Sequence, residues 1–111
     1  MRGLFAETPL QQNEYLSRKT GARVFLKRED LSPVRSYKIR GAFNFFRKAL
    51  AAGAGDSLFV CASAGNHAQG FAFVCKHFGV KGIVFMPVTT PQQKIDKTRL
   101  FGAGSVDKTC W

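Results

Sequence analysis

Leu58-Phe59-Val60-Cys61-Ala62-Ser63-Ala64-Gly65-Asn66-His67-Ala68-Gln69-Gly70 decides how this chain folds. Leu58 to Ala62 is a short continuous apolar run, the pattern of a buried strand in a parallel sheet. Ser63, Ala64 and Gly65 are small and suit a tight turn. From Asn66 onward Ala68, Phe71, Ala72 and Cys75 share one helical face, and Gly79 stops the helix. A buried strand that turns through small residues into a helix is the first half of a βαβ unit.

On the C-terminal side, Gly82 to Met86 reads as the next strand. Thr90-Pro91-Gln92-Gln93 then opens a helix, with Thr90 as N-cap, Pro91 at the first helical position and Gln93 completing a capping box. Gly102 closes that helix. On the N-terminal side, Val24 to Lys27 reads as a strand, and Pro33 breaks the connection after it. Ile39, Ala42, Phe43, Phe46, Ala49 and Leu50 recur at helical spacing over residues 38–50, with Ser36 as N-cap and Gly53 to Gly55 at the end. Strands alternating with helices give an α/β fold built of βαβ units around a parallel sheet. The segment from Gly104 to Trp111 stands where another buried strand is due, but it is polar. A parallel sheet of so few strands is thin, so the chain reads as part of a larger α/β protein.

The 111 residues suffice for one small domain, and a 45% hydrophobic fraction is that of a globular chain, not a disordered tail. No apolar run is long enough for a transmembrane helix, so no membrane partner is expected. Met1 to Phe5 lacks the apolar core of a signal peptide. Cys61, Cys75 and Cys110 have no metal-ligand spacing. Cys61 and Cys75 lie in apolar runs, so they read as buried thiols of a reducing compartment, the cytoplasm. The net charge of +10 points to anionic partners or to a solvated basic surface. The basic residues are scattered and most phenylalanines fall at core spacing, which speaks against nucleic acid.

Two segments can carry chemistry. Arg35-Ser36-Tyr37-Lys38-Ile39-Arg40-Gly41-Ala42 places a lysine at a helix start between two arginines. A lysine ordinarily keeps its proton, with a pKa of about 10.4. Positive neighbours and the positive end of a helix disfavour the ammonium form, so an amine nucleophile can be made there. The plainer reading is a solvated lysine. The second segment, Ser63 to Gly70, sits where ligands bind in open parallel sheets, at the carboxyl end of a strand. Free N–H groups of a first helical turn bind carboxylate or phosphate. Gly65 allows close backbone approach, Ser63 adds a hydroxyl, and Asn66 adds a neutral donor and acceptor. The plainer reading is a capped turn with Gly70 easing helix packing. His67 reads as a general base or, more plainly, as a packed or hydrogen-bonded residue of the helix start. His77 reads as an exposed residue at a helix C-terminus. Glu29-Asp30 read as partners of nearby backbone or arginine groups. No G-x-G-x-x-G or P-loop pattern is present.

Lys27 to Leu31, Ser36 to Ala42 and Ser63 to Gly70, in this order and at these separations, closely resemble the threonine dehydratases. These are threonine ammonia-lyases of the fold-type-II, tryptophan-synthase-β-like, pyridoxal-phosphate family. Thr8-Pro9-Leu10 and Phe85-Met86-Pro87 fit too, and the resemblance covers about residues 7–104. It implies pyridoxal 5'-phosphate as cofactor, an amino-acid substrate, and β-elimination of threonine to 2-oxobutanoate and ammonia on the path to isoleucine. It implies that Lys38 is the Schiff-base lysine that also moves the substrate Cα proton. Tyr37 stands where the family usually has Phe, against the cofactor ring. Asn66 would hydrogen-bond the cofactor's 3′ oxygen, and Ser63, Ala64, Gly65 and His67 would hold the substrate carboxylate. Related serine racemases carry Ser at the position of Ala64, so Ala64 favours a dehydratase.

The resemblance also implies missing parts. Family members are about three times as long as this chain, well beyond one ordinary domain. They use a later glycine-rich loop for the cofactor phosphate and a later Ser or Cys at the pyridine nitrogen. The chain is therefore expected to be an N-terminal fragment, inactive alone. Residues 1–50 would carry the lysine helix and residues 55–111 would begin the small α/β domain. Full-length relatives are expected to be homo-oligomers. Two alternatives stand beside this: a serine dehydratase of the same family, and a small basic nucleic-acid-binding domain.

Overall fold

Two separate sheets organise the chain in its computed structural model, which describes residues 3–102 and the backbone of residues 105–109. The larger is parallel. It holds β3 (Phe59–Ala62), β4 (Gly82–Pro87) and β5 (Ser105–Thr109), side by side in that order. Phe59 lies opposite Gly82, Ala62 opposite Phe85, and Ile83 opposite Ser105. Helices α3 (Asn66–Phe78) and α4 (Gln92–Phe101) connect these strands, making two successive βαβ units. The α/β class and the parallel sheet are as the sequence pattern requires.

The membership of that sheet differs from expectation at both ends. The strand expected at residues 24–27 is β2 (Phe25–Lys27), and it does not join the parallel sheet. It pairs antiparallel with β1 (Leu10–Gln12), Leu10 facing Lys27. Every residue of β1 and β2 is exposed, so this ribbon buries no face and needs no helical cover. The third parallel strand is β5, in the polar tail. Its place is set by the backbone ladder to β4, and strand propensity yields readily to such context. Within the polar tail, Ser105–Thr109 thus forms a strand.

The lysine helix is α2 (Lys38–Ala51). Ser36 does not cap it. Tyr37 occupies the cap with helical dihedrals and no side-chain bond. Ser32 instead takes the Ser36 backbone: its Oγ accepts from the Ser36 N–H (3.1 Å) and donates to the Ser36 carbonyl (3.0 Å). The start of α4 also shifts by one residue. Pro91 is extended (ψ 139°) and holds the cap position, so Gln92 is the first helical residue. The Thr90 N–H turns back to the Pro87 carbonyl at 2.9 Å, and its buried hydroxyl has no partner. Gln92, not Gln93, uses its amide, donating to Asp96. A short helix, α1 (Glu14–Thr20), precedes β2 and is capped by Asn13, whose Oδ1 accepts from the Leu16 N–H at 2.8 Å.

One apolar core joins the helices to one face of the parallel sheet. Ile39, Ala42 and Phe46 of α2 meet Ala68, Phe71, Val74 and Cys75 of α3 over Phe59, Cys61, Val84 and Met86. Phe46 is its hub: its ring stacks on Phe59 (centroids 4.3 Å apart) and meets Phe71 edge-on at 5.5 Å. Gly82 lets α3 press on β4, because a Cβ there would lie 2.5 Å from Cys75 Sγ. On the other face of the sheet, Ile83, Phe85 and Pro87 of β4 are half-buried. β3, expected to be buried as a parallel strand, leaves Val60 and Ala62 exposed while burying Phe59 and Cys61. The helices cover only one side of it. Cys61 and Cys75 are buried free thiols, as expected; Cys110 lies outside the described residues. Burial pushes the Cys61 thiol up, and burial with the nearby Cys61 pushes Cys75 up to about 12.

Candidate functional site

At the carboxyl end of β3 the Ser63 N–H donates to the Phe85 carbonyl (3.0 Å), carrying the ladder one residue past the strand. Ser63 Oγ accepts from the Gly65 N–H at 3.2 Å. Gly65 is extended (φ −127°, ψ −150°) and caps α3 without a side-chain bond. The first-turn N–H groups of this helix therefore meet no capping side chain, and they carry the positive end of its dipole. A Cβ on Gly65 would touch nothing within 4 Å, so the space before the loop is open. Ser63, Ala64 and Gly65 are half-buried; Asn66 and His67 are exposed. His67 is thus not a packed residue. It lines a cavity of about 630 Å³ shared with Gly41, Phe45, Val60 and Phe71, which neither Tyr37 nor Lys38 lines.

Lys38 is the first residue of α2 and is half-buried. Its Nζ stands 5.2 Å from the centre of the Tyr37 ring, a cation–π contact. Tyr37 is 62% exposed, so water reaches its hydroxyl. Of the two arginines flanking Lys38, Arg40 is committed elsewhere. It grips Glu29 in bidentate fashion, Nε to Oε2 at 2.8 Å and Nη2 to Oε1 at 2.7 Å. The Thr8 hydroxyl donates to the same carboxylate at 2.6 Å. Arg40, then Thr8, hold the Glu29 carboxyl below its ordinary range against the cost of burial. Asp30 is gripped by Arg28 in the same way. Glu29 and Asp30 are arginine partners, as their sequence suggests.

Arg35 has φ +56°, the one described non-glycine residue in the left-handed region, and its N–H donates to the Ser32 carbonyl. Ser36, next to it, buries a hydroxyl that finds no partner. The turn that delivers Tyr37 and Lys38 is therefore strained and incompletely satisfied.

The two segments come together through Gly70. A Cβ on this residue would stand 3.2 Å from the Lys38 carbonyl carbon and 3.1 Å from the Ile39 nitrogen. Gly70 lies one turn beyond Asn66, so the Lys38 backbone sits about 6 Å along α3 from its first residue. Among the described residues no side-chain hydrogen bond joins Lys38 or Tyr37 to the Ser63–His67 loop. Sequence reading did not supply Thr8 as a partner of Glu29, or the contact of Gly70 with the lysine's own peptide unit.

The lysine-bearing start of α2 thus rests on α3 one turn from that helix's uncapped N-terminus, at the carboxyl end of a parallel strand. Residues 1–108 match the family described as pyridoxal-phosphate dependent enzyme, and the chain belongs to that family. Within it the chain is similar to particular proteins. It is 50% identical over 107 residues to the biosynthetic L-threonine dehydratase IlvA of Bacillus subtilis, covering 96% of this chain and 25% of that protein. The counterpart in Staphylococcus epidermidis is 48% identical over the same length. Among solved structures, the processed form of threonine deaminase isoform 2 from Solanum lycopersicum superposes with TM-score 0.84 at 40% identity, over 95% of this chain and 28% of that one. Serine racemase from Dictyostelium discoideum gives 0.85 at 30% identity, over 95% and 34%. The chain spans about a quarter of the length of the curated relatives it matches and about a third of the Dictyostelium racemase chain.

Proposed function

We propose that this chain is the lysine-bearing part of a pyridoxal-phosphate dependent L-threonine dehydratase, which converts L-threonine to 2-oxobutanoate and ammonia in the supply of isoleucine. The observation that carries the proposal is the seating of the Lys38 backbone on α3, one turn from an uncapped helix start. The residues fit the cofactor and substrate in kind: a primary amine, an exposed aromatic ring, a neutral amide and an open anion-binding turn. Bound there, pyridoxal phosphate supplies an aldehyde for the amine and a ring that accepts electrons.

The chain's own groups then divide the work. Lys38 holds the cofactor aldehyde and afterwards moves the proton at the substrate Cα. Tyr37 packs its ring against the cofactor, with its hydroxyl left in water. Asn66, exposed at the first helical position, hydrogen-bonds the cofactor's 3′ oxygen. The first-turn N–H groups, with Ser63, Ala64, Gly65 and His67 around them, hold the substrate carboxylate. Ala64 has no hydroxyl to bring a proton to the opposite face of Cα, which supports elimination over racemisation.

The same reading takes residues 1–50 as the part that carries the lysine helix and residues 55–111 as the start of the small α/β domain. It places the complete enzyme in the cytoplasm as a homo-oligomer. The buried free thiols support a reducing compartment, and the pairing of Arg28 and Arg40 with carboxylates supports a solvated surface over a nucleic-acid face.

A chimaera tests the proposal. The 107 matched residues of this chain replace the matching quarter of the Bacillus subtilis dehydratase, and 2-oxobutanoate is measured with L-threonine as substrate. Activity that Lys38→Ala abolishes is expected. A folded chimaera that forms pyruvate from L-serine but no 2-oxobutanoate from threonine would establish the serine dehydratase instead. One inactive on both would refute the assignment.

A further inference from the structure

Gly70 is the fifth residue of α3, and the start of α2 rests on it. A Cβ there would lie 3.1 Å from Ile39 N, 3.2 Å from Lys38 C and 3.4 Å from Ile39 Cα. All three are backbone atoms, so no rotamer change relieves the contact. Gly41, within α2 itself, would meet nothing within 4 Å. The requirement for glycine is thus specific to the place where the lysine's peptide unit touches the other helix.

We propose that Gly70 is a positioning residue for Lys38. The missing Cβ sets how closely the lysine's peptide unit approaches α3, and so the distance from which its amine reaches a group held by the Ser63–His67 loop. This rests on the assignment of Lys38 as the cofactor lysine. The start of α2 has little freedom to adapt. Ile39 is fully buried behind it, and Arg40 is anchored to Glu29 and Thr8 on its other side. A methyl group at position 70 therefore shifts Tyr37 and Lys38 by a few tenths of an ångström, while the rest of α2 stays in its core.

The test is reductive trapping in the full 111-residue chain with limiting pyridoxal 5'-phosphate. The Lys38 amine adds to the aldehyde and water leaves. Borohydride then delivers hydride to the C=N carbon, leaving a stable secondary amine that peptide mass mapping locates. Gly70→Ala is compared with Val74→Ala, which opens a cavity at a fully buried position of the same helix. Gly70→Ala is also made with Gly41→Ala, whose gain in helix propensity offsets lost stability. Gly70→Ala is expected to lower Lys38 labelling about tenfold, a cost in keeping with sub-ångström misplacement of a reacting group. Labelling at exposed Lys48 and Lys76 stays constant, and Val74→Ala leaves Lys38 labelling intact.

If Gly70→Ala labels Lys38 as the wild type does, the proposal fails and the Lys38 assignment stands. If Gly70→Ala and Val74→Ala lose labelling together, Gly70 is structural only. If the wild type itself shows no preference for Lys38, the assignment beneath the proposal fails.

Discussion

Replacing Phe46 by alanine removes the ring that ties the lysine helix to both α3 and the parallel sheet. Phe46 is 1% exposed, stacked on Phe59 and edge-on to Phe71. A buried phenylalanine covers about 150–250 Å², which at about 25 cal/mol per Å² sets a ceiling of about 4–6 kcal/mol. The alanine methyl keeps some of that burial and the surroundings relax partly, so the expected cost is about 3–5 kcal/mol. A chain of this length holds about 5–15 kcal/mol in all, so the loss is a large share of it. At about 4 °C or more per kcal/mol, the midpoint of thermal unfolding should fall by at least about 12 °C. Phe45 provides the internal comparison. It neighbours Phe46 and Phe59 edge-on but is 61% exposed, so Phe45→Ala should cost no more than about 1.5 kcal/mol. Urea unfolding followed by circular dichroism measures both. A Phe46→Ala chain within 1 kcal/mol of wild type, or a Phe45→Ala chain less stable than it, would refute the hub assignment.

Two further outcomes follow from the charges and thiols. Glu29→Gln should cost about 1 kcal/mol at neutral pH, because Arg40 and Thr8 lose a carboxylate and the pair is partly exposed. The Glu29 carboxyl titrates lower in the folded chain than in the unfolded one, so its contribution is complete above the ordinary glutamate value of about 4.3 and is lost as pH falls below it. The gap between wild type and Glu29→Gln in urea unfolding should be flat from neutral pH to about pH 5 and close below about pH 4; a gap that widens in acid contradicts the pairing. For the thiols, peptide mapping after treatment with an aromatic disulfide reagent at pH 8 should find Cys61 and Cys75 unmodified until denaturant is added, because buried, upshifted thiols carry almost no thiolate. Modification of Cys75 in the folded chain at the rate of a free thiol would contradict its burial.

Elements whose apolar residues face the core were legible in the sequence. Helices α2 and α3 follow from Ile39, Ala42 and Phe46 and from Ala68, Phe71, Ala72 and Cys75, all buried where their spacing puts them. Strand β2 was readable as a strand, but its partner β1 and helix α1 bury nothing and carry no periodic signal. The caps failed for a local reason: Ser32, four residues upstream, claims the backbone of Ser36, and the extended Pro91 moves the start of α4 past Thr90. In β3 the apolar run could not reveal that helices cover only one face. At the site, the strand–loop–helix of Ser63 to Gly70 and the helix start at Lys38 were readable, because each is a local pattern. Their meeting was not, since Gly70 touches a peptide unit more than thirty residues earlier. Thr8 likewise reaches Glu29 across 21 residues, with no spacing rule to announce it.

The central claim is that Lys38 is the amine that takes the cofactor. Its most direct test is to treat the chain with pyridoxal 5'-phosphate, reduce with borohydride and locate the modified residue by mass spectrometry. A single dominant modification at Lys38 is expected, lost in Lys38→Ala without redistribution to another lysine. Label spread over exposed Lys48, Lys76 and Lys81, with Lys38 no more modified than they are, would contradict it.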